Sequence, residues 1–172
     1  MLLRRRHRLV LTVALSAALF GAACGSGDSK GTSAAHIKLL PKGELVGPYL
    51  GLVPHREDVK SLSTQDANSY VEAVGLYSLR NGERLEATLQ VNKLSDVARP
   101  KDKNFRQSVA NQIGGTKVQA FVMGGRDVYR SSQRKQSLTS WFRGNYFFVL
   151  SVRESYKQPR ALLRTLLEEV RP

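Results

Sequence analysis

The pattern of apolar and polar positions splits the chain near Tyr70, and the stretch beyond it is the readable part. Residues 74–80 and 85–94 flank Asn81-Gly82, a dipeptide whose two positions both accept positive φ and which is a strong hairpin signal. In the second of these runs Leu85, Ala87, Leu89 and Val91 alternate with Glu86, Thr88, Gln90 and Asn92. That period of two predicts a strand with one face packed and the other in solvent.

Pro100 interrupts the pattern, and Asp102 is placed to cap a helix. Phe105, Val109 and Ile113 then recur every fourth position with Ala110 beside them, which predicts a helix with one apolar stripe, stopped by Gly114-Gly115. A meander of four strands comes next over 118–123, 127–132, 137–142 and 146–152, turning at Gly124-Gly125, Gln133-Arg134-Lys135 and Gly144-Asn145. The last strand is dense in aromatic and β-branched residues, as a central strand is. Gln158-Pro159 open a final helix that turns Leu162, Leu163, Leu166 and Val170 inward and Arg160, Arg164, Glu168 and Glu169 outward.

The order ββ-α-ββββ-α does not alternate single strands with helices, which argues against a parallel doubly wound sheet. It predicts an α+β domain: an antiparallel twisted sheet of about six strands with two helices packed on one face. This element order loosely resembles the PsbP-like domains and the LolA-like half-barrels of lipoprotein carriers, through the strand-rich stretch around Gly124-Gly125 and from Trp141 to Val152.

Residues 36–69 read differently. Pro41, Pro48 and Pro54 interrupt the apolar positions and predict an extended, irregular segment whose side chains plug the core, with Leu45 to Val53 as the plug or as a lid.

At the amino terminus Arg4, Arg5, Arg6 and Arg8 precede an almost wholly apolar run, Leu9 to Phe20. That run has the length of a signal-peptide core and is too short to span a bilayer as a helix, which takes about 20 residues. Phe20-Gly21-Ala22-Ala23-Cys24-Gly25 closes it and presents the one cysteine of the chain. The order small-small-Cys resembles the lipobox of bacterial lipoproteins, with Gly21 standing where that family usually has Leu. The resemblance implies cleavage after Ala22 and Ala23, with Cys24 lipidated as the first residue of the mature chain. The expected organisation is therefore a signal peptide over 1–23, a lipidated cysteine and flexible linker over 24–35, and one α+β domain over 36–172. The expected location is the outer face of the cell membrane.

Composition narrows the partners. The chain carries 27 basic and 14 acidic residues, a formal charge of +13. The leader holds four arginines and no acid, so the part from Cys24 keeps +9. Export makes nucleic acid a poor match for this charge and leaves anionic lipids, wall polymers or an envelope protein. One cysteine allows no intramolecular disulfide, and a monomer is expected.

Candidate chemistry is sparse. Of His7, His36 and His55 only the last falls well inside the domain, in the polar stretch Pro54-His55-Arg56-Glu57-Asp58, read as a loop. No metal set, cofactor loop or catalytic triad assembles from these residues. Asp96, Asp102, Asp127 and Glu154 lie near element ends with nothing to select a catalytic pair. Basic residues interleaved with aromatics single out Arg130, Arg134, Lys135, Trp141 and Arg143 as a candidate binding face, with Trp141 and Arg143 pointing the same way along a strand; the plainer reading of the same residues is that Trp141 packs under a helix and Arg143 ends its strand. The expectation is a non-enzymatic binding or accessory module, with a lipid carrier enclosing a cavity between sheet and helices as the alternative.

Overall fold

The computed structural model describes residues 45, 47–61, 71–95, 98–115, 118–133 and 135–170. The leader, Cys24 and the linker lie outside them, as do Asp96, Arg134 and the stretch Thr64 to Asn68, where the sequence allows one short helical turn.

The domain is α+β. Among the described residues seven strands form one antiparallel sheet: β1 (Val53–Ser61), β2 (Val71–Asn81), β3 (Arg84–Leu94), β4 (Gln119–Met123), β5 (Arg126–Gln133), β6 (Gln136–Arg143) and β7 (Tyr146–Arg153). Their order across the sheet is β1-β2-β3-β7-β6-β5-β4. Two meanders thus meet where β3 pairs with β7, and the helix α1 (Lys103–Gly114) carries the chain from β3 to the far edge. The helix α2 (Pro159–Glu169) comes after β7.

The sheet has seven strands and not six, because residues 53–61 add an edge strand where an irregular segment was expected. Pro54 is compatible with this position, since an edge strand needs hydrogen-bond donors on one side only. The register of β1 against β2 shifts between Arg56 and Asp58, so Glu57 sits in a bulge. His55 is thereby a strand residue and not a loop residue.

The Asn81-Gly82 hairpin forms one step along. Asn81 pairs with Arg84, the turn residues are Gly82 and Glu83, and Gly82 has φ +57°. Glu83 has negative φ, so the glycine is at the first central position, as a II′ turn requires. At the other end of the meander Gly124 and Gly125 have φ +57° and +72°, which a two-residue hairpin of the I′ kind needs.

The helices pack on opposite faces, not on one. Tyr146, Phe148, Leu150 and Val152 of β7 share a core with Leu162, Leu163, Leu166, Leu167 and Val170 of the α2 region. Phe147 and Val149 of the same strand share a second core with Val109 and Ile113 of α1, beside Phe105 and Phe142. Alternate residues of a strand point to opposite faces, so a strand apolar at every position needs cover on both. β7 lies at the centre of the sheet, fourth of seven, as its composition predicts.

Local signals set the helix ends. Asp102 caps α1 by accepting from the Asn104 N–H at 2.8 Å, and Gly115 ends it with φ +76°. Pro159 occupies the first turn of α2. The segment before β1 plugs the α2-side core: Tyr49 and Leu52 are buried in it and Leu45 packs against it.

Candidate functional site

The basic-aromatic face read from the sequence does not assemble. Trp141 and Arg143 do share a face of β6, but that face is the one α2 covers. Trp141 is 0% exposed and stacks on Phe148, ring centroids 5.1 Å apart and planes within 7°. Its indole is core, and Nε1 has no hydrogen-bond partner among the described residues. Arg143 reaches across the sheet to α2, donating from Nη1 to the carbonyl of Val170 at 2.9 Å and to that of Leu167 at 3.5 Å. Arg126 donates to the same Leu167 carbonyl. The two guanidinium groups answer carbonyls that the end of a helix leaves without intrahelical partners.

Two members of the predicted face stay accessible. Lys135 is exposed in the β5–β6 turn with φ +65°. Arg130 is half-buried on β5 and donates from Nε to Ser137 Oγ at 3.2 Å. Arg134 lies outside the described residues, as do Ala22, Ala23 and Cys24.

Of the carboxylates considered for catalysis, Asp102 and Asp127 hold structure. Asp102 caps α1. Asp127 pairs with Arg106, Nη2 to Oδ2 at 2.7 Å, and Arg106 also donates to the Pro100 carbonyl at 2.8 Å. Burial alone lowers the affinity of the Arg106 guanidinium for its proton, yet the Tyr129 hydroxyl and Asp127 outweigh it and the net shift is upward. Glu154 is exposed at the end of β7.

One carboxylate that sequence reading passed over is more unusual. Glu86 is only 6% exposed; Oε1 pairs with Arg84 Nε at 2.9 Å and Oε2 has no partner among the described residues. Tyr156 is pushed up by burial, with the Glu86 charge adding to the shift. Arg84 extends the cluster by donating to Ser155 Oγ at 3.1 Å.

A polar band crosses the face that α1 only partly covers. Pairing aligns His55, Ser78, Thr88, Ser151, Leu138 and Ser131 across six strands. Beside them Ser78 donates to Glu57, Arg80 donates to Ser78 at 3.2 Å, and Ser151 donates to Gln136. Over β2 and β3 the side chains of Val74, Leu76, Thr88 and Gln90 stay half-exposed. The polar positions of β3 were the signal for this surface in the sequence, although Asn92, which donates to the Phe147 carbonyl at 3.0 Å, is itself buried. Between α1 and the sheet a hollow of about 10 Å³ is lined by Ala110, Ile113, Gly114, Ser131 and Val149. That is room for about one water molecule.

Comparison with known proteins adds little to this geometry. No family model matches the chain, and no curated protein does. Among solved structures, the crystal structure of a GTP binding regulator from Thermotoga maritima is similar at 14% identity, covering 65% of this chain and 74% of that one, with a TM-score of 0.37. A likeness at this level carries no functional inference.

Proposed function

We propose that the protein is an exported bacterial lipoprotein, held on the outer face of the cell membrane by a lipid on Cys24, whose domain serves there as a non-enzymatic binding or accessory module. One observation carries the reading: Phe20-Gly21-Ala22-Ala23-Cys24-Gly25 closes an arginine-led apolar run of signal-peptide length. Acyl chains hold a protein through about 0.8 kcal/mol per buried methylene, and two chains suffice for stable anchoring. The polar linker after Cys24 keeps the domain near the surface.

The packing supports a module more than a carrier. A carrier of lipid-sized ligands calls for a cavity of several hundred Å³. Among the described residues Trp141, Phe148, Leu150, Leu162 and Leu166 pack the α2-side interlayer, and the hollow on the α1 side measures about 10 Å³. The partners that fit are an envelope protein or an anionic envelope component. The test is a cell fractionation of Cys24→Ser against the parent: release from the membrane is the expected outcome, and unchanged membrane retention contradicts the anchor.

A further inference from the structure

The two edges of the sheet are built differently. β1 carries Pro54, a bulge at Glu57 and the charged residues Arg56, Glu57, Asp58 and Lys60. These are the devices that stop an edge from pairing with another chain. β4 carries none of them: its sequence is Gln-Ala-Phe-Val-Met, without charge, proline or bulge.

The register shows which backbone groups β4 offers. Met123 and Arg126 close a two-residue turn, so that pair exchanges its hydrogen bonds within the hairpin. Alternation then turns the N–H and C=O of Phe121 and Gln119 inward to β5, and those of Val122 and Ala120 outward. β4 is the last strand of the sheet, and among the described residues nothing pairs with its outer side. Val122 is 69% exposed, the most exposed of the large apolar side chains described.

Charge decides between occupants. Arg130 pairs in register with Gln119, one strand in from the edge, and its described partner is the hydroxyl of Ser137 and no carboxylate. A second copy, of formal charge +9 from Cys24 onward, brings like charge to this edge. An added strand lies about 9–10 Å from β5, twice the spacing between strands, and the side chain opposite Gln119 falls on the face of Arg130. A Glu there reaches toward the guanidinium.

We infer that the outer edge of β4 is a docking edge, on which an extended acidic segment of a partner protein adds as an eighth strand, bonded to the backbone of Ala120 and Val122 and steered by Arg130. The inference deepens the accessory-module reading and rests on it, but not on the lipid at Cys24, whose loss leaves the edge unchanged.

The test uses the full-length protein in mild detergent with two nine-residue peptides, one alternating Thr and Glu and one alternating Thr and Gln. The Glu peptide is expected to bind more tightly and to slow hydrogen exchange at the Ala120 and Val122 amides. Val122→Pro removes an outward donor without touching a bond to β5, so circular dichroism stays native while binding of both peptides falls about tenfold or more. Arg130→Gln is expected to weaken the Glu peptide several-fold, by roughly the 1 kcal/mol of a partly exposed charge pair, and to leave the Gln peptide unchanged. Equal affinity for the two peptides, or unslowed exchange at both amides, overturns the proposal. So does protection that rises with protein concentration in the absence of peptide, which assigns the edge to a second copy.

Discussion

Arg143 donates to the carbonyl of Val170 at 2.9 Å, and so ties the end of α2 to the sheet through the end of β6. Arg126 serves the neighbouring Leu167 carbonyl from the start of β5. Both cations sit at the negative end of the helix dipole, where they are favourable. Arg143→Met keeps the stem and removes the donors. It is expected to cost about 1–2 kcal/mol in urea unfolding and to speed amide exchange in the last turn of α2. A double-mutant cycle with Arg126→Met is expected to show coupling, since both side chains answer one carbonyl.

Trp141 is the only tryptophan, so it reports on the core without labelling. Its emission is expected to be that of a buried indole, inaccessible to iodide until the domain unfolds. Trp141→Ala removes the ring stacked on Phe148 and is expected to cost about 3–5 kcal/mol. A surface aromatic would instead be quenched in the native state and cost little to remove.

These two residues show what the sequence carried and what it did not. Periodicity placed the strands from residue 71 onward and both helices, and Asp102, Gly115 and Pro159 set helix boundaries where their chemistry predicts. Two features escaped it. Period two says that Trp141 and Arg143 share a face, but not which face a helix covers. The near-continuous apolar run of β7 is the sign that both faces are covered, and a central place in the sheet is only half of what it implies. β1 escaped because proline argues against strands in general, while an edge position tolerates it. Of the predicted site, Arg130 and Lys135 remain at the surface, and the rest of the described set is structural.

Gly114 pits two effects against each other. At an ordinary helical site Gly→Ala gains up to about 1 kcal/mol of propensity. Here a Cβ would meet Val118 Cγ2 at 2.5 Å and Ser131 Oγ at 2.7 Å. Overpacking of this kind costs about 1–3 kcal/mol, so the net effect of Gly114→Ala is expected to be destabilising in denaturant.

The segment before β1 belongs to the core. Leu52 is fully buried with Tyr49 against the α2 cluster. Leu52→Ala is expected to cost about 2–5 kcal/mol in thermal or urea unfolding, as a core leucine does. A lid that opens over a cavity would give a much smaller loss.

More of the proposed function rests on Cys24 than on any other residue. Native mass spectrometry of the protein, extracted gently from the membrane of its own host, tests it directly. The expected spectrum shows a chain that begins at Cys24 and carries the mass of a diacylglyceryl group there. A chain that begins elsewhere, or an unmodified Cys24, contradicts the anchor and with it the placement of the module on the membrane.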